Sequence, residues 1–465
     1  MFHESEEAGA PARAGPGADQ RPVPGGPGRD RNRLEARTIR GAGLRCRQGN
    51  PPRPRHWRRR AAASGDTGEG GHPDMLKKAL ILILPAVVVV GFLIYRVYRV
   101  STPTPFAPAD ALAFDVRRLP GNPIIVHDMD QSLIDEYKQY GYVNINGPSM
   151  IKVPEWVENP LGKYYLYFAH HKGDYIKLAY ADRPEGPWRI YAAGAIHVKD
   201  SGFARVAPRA DIKATIATLW KNWSQTEFWT LLRVGLAARE ASKTLAAQGK
   251  TVSGESKPHI ASPDAWIDDP GREIRLYFHG LTDGGIQASR VAVSRDGLHF
   301  KVLPQVLSAP YLRVFKHKGY YYGMAMPGLL YRGKNGLNGF EIRRKPVAGA
   351  DMRHVALMPR GDRLFVFWSR VGDEPERILC SSMDIRSDDW DDWRMTAPVD
   401  VLRPEKSWEG GDLSLEPSIR TEITVPVRQL RDPAIFVGGE KTYLLYAVAG
   451  ENGIAIAELK LDLNR

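Results

Sequence analysis

Five stretches of the chain repeat one plan: a short strand-like run, a turn, an aromatic-rich strand, and a polar loop ending in Trp or Phe. The aromatic strands read GKYYLYFAHH (162–171), REIRLYFHG (272–280), KGYYYGMAM (318–326), DRLFVFWSR (362–370) and EKTYLLYAVAG (440–450). A period of roughly 45 to 60 residues, each unit able to form a small antiparallel sheet, marks a β-propeller. The expected fold is therefore all-β, a five-bladed β-propeller over 118–465 with a helical insertion at 208–257. A propeller gathers its working residues at one mouth of the central channel, so the repeat also says where chemistry belongs.

The +12 net charge of the 465-residue chain is unevenly spread. Residues 1–74 hold 14 Arg against 9 acids, and 75–100 add Lys77, Lys78, Arg96 and Arg99 without an acid. Only +3 remains for 101–465. A nucleic-acid partner would need a basic stripe on the folded part, and none is expected. Cys46 and Cys380 are the only cysteines, one in the tail and one in the body, so neither a disulfide nor a zinc site is expected. No cofactor or metal is anticipated.

Ala79 to Tyr95 is an uncharged apolar run of 17 residues flanked by those four bases, which reads as a single uncleaved N-terminal transmembrane helix. A signal peptide is the competing reading, but RVYRVSTPTP follows without a small-x-small cleavage pattern. Residues 1–74 are Arg-, Gly-, Pro- and Ala-rich and are expected to be disordered. Met75 opens MLKKALILIL as a natural start would, and a genuine cytoplasmic tail is the alternative. The larger share of bases lies N-terminal to the run, which places the propeller outside the cytoplasm, periplasmic or extracellular and membrane-anchored. Residues 101–117 then form a linker, with TPTPFAP (102–108) as a stiff stalk.

Period-2 alternation marks strands through 140–200 and 258–465. Outer turns read ADRPEGPW (181–188), SRDGLHF (294–300), KNGLNGF (334–340) and DIRSDDWDDW (384–393), each with an aromatic that packs between blades. From Asp211 to Gln248 the period is helical, with Leu219, Trp220, Trp223, Leu231 and Val234 on one face. That face packs on the propeller or meets a membrane or partner.

Polar residues opening the inner strands are the ones that line a channel. These openings read NINGPSMIKV (144–153), PHIASPDAWI (258–267), SAPYLRVF (308–315), RHVALM (353–358) and QLRDPAIFV (429–437). With the YYLYF-type second strands and the GPW ending, they resemble the five-bladed propeller glycosidases, above all glycoside hydrolase family 43 and its relatives. The resemblance covers about residues 118–462 apart from the insertion.

It implies two carboxyl groups on different blades pointing into one funnel. Asp432 is similar to the Asp of an Arg-Asp-Pro motif that contacts sugar hydroxyls or supports the transition state. Asp264 resembles a second-blade Asp that tunes the acid. The chain departs from the pattern at the first opening, Asn146-Gly147-Pro148-Ser149, and at the third, Ser308-Ala309-Pro310-Tyr311, where the family carries a carboxylate. Glu409, Asp412 and Glu416 on the loop entering the last blade, or His259 and His354, are the remaining proton donors. Arg431, Arg313, Tyr311, Trp266, Trp408 and Asn146 are candidate sugar contacts, since sugars stack on aromatic faces and their hydroxyls need planar polar partners.

Three functions compete. The first is a carbohydrate-active protein, a glycoside hydrolase acting on an envelope or extracellular glycan. The second is a non-catalytic glycan- or protein-binding propeller at the cell surface. The third is a purely structural scaffold recruited by the helical insertion.

Overall fold

The computed structural model describes residues 102–208, 224, 227–231 and 257–462, with positions 87, 88, 90–92 and 95. The chain divides into two units, Met1–Gly71, outside the described residues, and His72–Arg465. In the second unit, four four-stranded sheets follow the chain order and a fifth combines its two ends. The first strand, β1 (Ala113–Arg118), is reserved for that last sheet. Blade one is β2 (Asn146–Lys152), β3 (Tyr164–Ala169), β4 (Tyr175–Ala181) and β5 (Arg189–His197). Blade two is β6 (Ile260–Asp268), β7 (Glu273–Leu281), β8 (Gln287–Ser294) and β9 (Lys301–Val302). Blade three is β10 (Arg313–His317), β11 (Tyr320–Ala325), β12 (Leu329–Gly333) and β13 (Glu341–Ile342). Blade four is β14 (Met352–Arg360), β15 (Arg363–Arg370), β16 (Ile378–Asp384) and β17 (Val399–Leu402). Blade five is β18 (Arg431–Gly438), β19 (Lys441–Val448) and β20 (Gly453–Asp462), with β1 as its outermost strand.

The second strand of each blade is buried on both faces, and this explains its continuous aromatic-aliphatic run. Tyr165 and Tyr167 of β3 pack toward blade two against Ile260, Ile274 and Leu276. Leu166 and Phe168, one residue out of phase, pack toward blade five against Phe436 and Leu445. Comparable clusters fill the junctions of blades two and three, three and four, and four and five. With every junction filled by apolar side chains, the sheets close into a ring. The outer-turn aromatics contribute as expected: Trp188, Phe300, Phe340, Trp390 and Trp393 all join these clusters.

Ring closure depends on β1, which pairs antiparallel with β20 from Ala113↔Asp462 to Arg118↔Ala457. Residues 113–117 of the stretch expected as a linker are thus part of the propeller. An outermost strand buries only one edge and face, so AFDVRR carries too weak an alternation to stand out. TPTPFAP is not a free stalk either. Thr104 N donates to Pro346 O at 2.9 Å, Ala107 N to Met395 O at 2.9 Å, and the Phe106 ring lies 6.3 Å from that of Trp368. A helix that the repeat does not announce, Gln131–Tyr140, is capped by the Asp130 carboxylate on Ser132 N and ends at Gly141 with φ 78°.

Most of the apolar segment 79–95 lies outside the described residues; its described positions are exposed and helical. Among the described residues, no helix is long and apolar enough to cross a membrane. The tail 1–74 also lies outside them, as does most of the insertion 208–257. Its described turn, 227–231, is helical and packs on blade three, where Tyr331 Oη donates to Glu227 Oε1 at 2.7 Å.

The closing strand is pinned by Glu409. Its fully buried carboxylate accepts from Arg118 Nε (2.7 Å) and Nη2 (2.9 Å), Tyr446 Oη (3.0 Å) and the backbone N–H groups of Glu405 (2.9 Å) and Lys406 (3.0 Å). Removing one partner of a buried pair strands the other charge, so Glu409→Gln should lower the unfolding free energy by roughly 2–4 kcal/mol. Guanidinium denaturation measures this directly. A loss below about 0.5 kcal/mol, the range of ordinary surface changes, would show that the closure does not depend on this contact.

Candidate functional site at the channel mouth

Each blade opens its inner strand on a residue in the left-handed region: Gly147 (φ 62°), Ser262 (51°), Tyr311 (65°), His354 (46°) and Asp432 (48°). In four blades a bulge follows, between Asn146 and Ser149, Ala261 and Asp264, Arg353 and Ala356, and Arg431 and Ala434. A bulge re-aims side chains out of the ladder. The next positions then staple the ring: Ser149 Oγ accepts from Ala265 N at 2.9 Å, Asp264 Oδ2 from Val314 N at 2.9 Å, and Arg313 Nη1 donates to Ser262 O and Pro263 O at 3.0 and 2.9 Å.

A buried ion network stands at the openings of blades four and five. The Arg431 guanidinium, without solvent exposure, reaches Glu376 at 3.1 Å and Glu451 at 3.0 Å and donates to Gln429 Oε1 at 2.6 Å. Glu376 also accepts from Ser369 Oγ at 2.7 Å and lies 3.7 Å from Arg353. Glu451 accepts from Asn144 Nδ2 at 2.6 Å and lies 3.5 Å from His171. Burial alone would raise the Glu451 carboxyl, but His171, then Arg431 and Arg353, hold it well below the usual carboxylate range.

Asp432 has the opposite environment. Burial, followed by the nearby Glu451 charge, pushes its carboxyl up to about 7 against the pull of Arg353 and His171. Its Oδ1 lies 3.6 Å from His354 Nε2 but has no hydrogen-bond partner among the described residues. His354 Nε2 accepts from Arg353 Nε and Nη2 at 3.2 and 3.1 Å, which assigns the ring proton to Nδ1. That buried N–H is likewise unmet among the described residues. The rings continue across the mouth: His354 is 5.1 Å from Tyr311, Tyr311 stacks on His279 at 4.4 Å, and His279 is 6.0 Å from His259. Both ring nitrogens of His279 are buried and unmet among the described residues. Burial, then the neighbouring guanidiniums of Arg353 and Arg431, hold His354 well below its ordinary value; burial and His259 do the same for His279.

The structure brings Asp432, His354, Tyr311 and Arg431 together, with Asn146 beside them through its donation to Asn144 Oδ1 at 2.9 Å. Other predicted residues have different tasks. Asp264, its carboxyl pushed up to about 6 by burial against Arg313 and the Val314 amide, is an inter-blade staple, and so is Arg313. Glu409 is removed from the mouth by its closure role at β1. Asp412 is exposed and Glu416 partly exposed on the segment before β18. Trp266 packs on Tyr321 at 5.3 Å, and Trp408 lies against the cluster between blades four and five. His259 is satisfied: Nδ1–H donates to Lys257 O at 2.7 Å and Nε2 accepts from Gln287 at 3.2 Å. Tyr311 has one ring face stacked on His279 and His354 tilted against the ring, so it is not an open platform for a sugar.

The first-blade departure has a steric basis. A Cβ on Gly147 would stand 3.2 Å from Ser262 Cα on a left-handed backbone (φ 62°), so a carboxylate-bearing residue there would be strained and would need Ser262 to give by a few tenths of an ångström. Glu376, Glu451 and His171 were not anticipated. All three follow the aromatic strand of their repeat (GDEPER, AGENG, AHHKGD), and that shared position was the available signal. Among the described residues, no group of three or more His, Cys, Asp or Glu is arranged to hold a metal ion.

The raised Asp432 pKa has a thermodynamic consequence with a fixed sign. An unfolded Asp titrates near ~3.9. Below that value both states are protonated and the site costs nothing. As pH climbs toward about 7, the unfolded chain releases its proton first and folding stability falls. Asp432→Asn should therefore gain on the wild type by on the order of 2–4 kcal/mol between pH 4 and pH 8. Unfolding free energies of both proteins at the two pH values check this; a difference that stays flat contradicts the raised pKa.

No family model matches the chain. Among solved structures it is similar to a GH43_1 enzyme from Xanthomonas citri complexed with xylotriose, at 13% identity over 69% of this chain and 87% of that one, TM-score 0.40. It is also similar to CoXyl43, a GH43 β-xylosidase/α-arabinofuranosidase from a compost microbial metagenome, at 13% identity over 75% and 95%, TM-score 0.40. The strand order of the chain itself establishes the propeller. Among curated proteins it is 30% identical over 393 residues to the uncharacterized protein R118 of Acanthamoeba polyphaga mimivirus, covering 79% of this chain and 96% of that protein. The chain belongs to the family of that mimivirus protein.

Proposed function

We propose that the mouth is a carbohydrate site and that the chain is a glycoside hydrolase in which Asp432 is the proton donor. The observation that carries this reading is the pairing of two buried carboxyls with opposed environments: Asp432 pushed up to about 7, and Glu451 held ionised by His171 and Arg431. Such divergence separates an acid from an anion in glycosidases. Sugars are dense in hydroxyls, and the mouth offers unmet groups to match: Asp432 Oδ1, His354 Nδ1–H and the ring nitrogens of His279. Half-buried Tyr140 and Tyr142, 4.4 and 5.4 Å from the His170 ring, supply aromatic surface at the rim.

In this mechanism Asp432 gives its proton to the glycosidic oxygen as the C–O bond breaks, and the leaving sugar departs as an alcohol. The Glu451 carboxylate opposes the positive charge growing on the anomeric carbon. Water adds to that carbon and returns a proton to Asp432, which restores the acid. A setting at the cell envelope rests on the apolar run 79–95 and its flanking bases.

A second reading, a non-catalytic glycan binder, is favoured by Gly147 and Ser308 at the openings where the resembled enzymes carry carboxylates. Incubating the full-length protein with aryl glycosides and polysaccharides separates the two. We expect turnover by the wild type and a loss of about 10²–10⁴-fold in kcat for Asp432→Asn, with glycan binding retained. Equal rates in the two proteins would remove Asp432 from catalysis; binding without turnover in the wild type would establish the binder.

A further inference from the structure

Four guanidiniums surround the openings of blades two to five, and three of them face carboxylates. Arg313 lies 3.9 Å from Asp264, Arg353 3.7 Å from Glu376, and Arg431 3.1 and 3.0 Å from Glu376 and Glu451. Arg420 is the exception. Its Nη1 donates to Met326 Sδ at 3.1 Å, and its Nη2 to Ala350 O and, at 3.3 Å, to Met352 O. Among the described residues it forms no ion pair with a carboxylate. These neutral contacts fix the fork in place without neutralising it.

The neighbourhood of Arg420 is the mouth. Arg353 Nη1 donates to Ile419 O at 2.8 Å and so holds the backbone that presents Arg420. Burial first, then the like charge of Arg353, lowers the affinity of Arg420 for its own proton, and Glu376, Tyr311 and Asp351 pull weakly the other way without reaching ion-pair contact. Its charge is also felt at His354. A half-buried guanidinium with no carboxylate in direct contact and a second cation beside it is a favourable place for a further anion to dock.

We propose that Arg420 makes the mouth select a sugar bearing an oxyanion, a uronate or a sulfate ester, whose charged group docks on this guanidinium while the ring lies beside Asp432. This rests on the carbohydrate reading and names its substrate class. A planar guanidinium fork matches such oxyanions with paired hydrogen bonds, which a neutral hexose cannot reproduce.

Calorimetric titration of the full-length protein with paired methyl glycosides tests this. Each uronate and each 6-sulfate is compared with its neutral parent in the gluco, galacto and manno series. In at least one series, an anionic member should bind about tenfold or more tightly than its parent. Arg420→Gln should abolish that preference while leaving the parent's affinity unchanged, and Arg420→Lys, which keeps the charge but not the fork, should retain part of it. Equal affinity for anionic and neutral members in every series would overturn the inference and leave the carbohydrate reading intact. A preference that survives in Arg420→Gln would overturn it as well. Binding of no member in any series would overturn the carbohydrate reading and this inference together.

Discussion

The left-handed residue at the head of every inner strand is the constraint from which the site follows. Four of the five are not glycine, and each such conformation costs on the order of 1–3 kcal/mol unless its surroundings hold it. Here the surroundings are the neighbouring blades. Ser149, Asp264 and Arg313 each bond across to the adjacent inner strand, so the strain is distributed around a ring that closes on itself. The same turn that stresses the backbone delivers Tyr311, His354 and Asp432 to one hollow. Remove the closure at β1 and the geometry that concentrates them is lost with it.

Within the hollow, electrostatics divides the carboxyls into two kinds. Glu376 and Glu451 share Arg431, and His171, Arg431 and Arg353 hold Glu451 as an anion. A buried network of this type adds little net stability, because desolvation cancels most of the Coulomb gain. Its consequence lies in what it does to its neighbour. Arg431 is engaged by Glu376 and Glu451, and at Asp432, adjacent in sequence, burial and the repulsion of Glu451 outweigh the pull of Arg353, His171 and Arg313. Asp432 and Glu451 thus sit in opposite electrostatic environments within one hollow.

The architecture was legible because burial on both faces forces an unbroken aromatic run in every second strand, and β3, β7, β11, β15 and β19 fall within or closely overlap the runs 162–171 to 440–450. The closing strand β1 was not, since an exposed outer strand needs few apolar residues. In the site, Asp432, His354 and Arg431 stood out as polar residues opening inner strands. Asp264 did too, yet its position two residues past the turn makes it a staple and not a mouth group; a single residue string does not distinguish the two aims of a bulge. Glu409 looked available on a long loop, whereas Arg118, nearly three hundred positions earlier, consumes it. Partners that distant leave no local trace. Glu376 and Glu451 could have been found by reading the loop after each aromatic strand as part of the repeat.

The central claim is that position 432 holds a carboxyl that exchanges its proton near neutrality. It is tested most directly by following carboxyl carbon resonances of protein labelled with ¹³C-aspartate from pH 3 to pH 9. Asp432→Asn identifies the signal by its disappearance. The account predicts a transition close to 7 for that resonance. A transition near ~4, where an ordinary aspartate titrates, would contradict it.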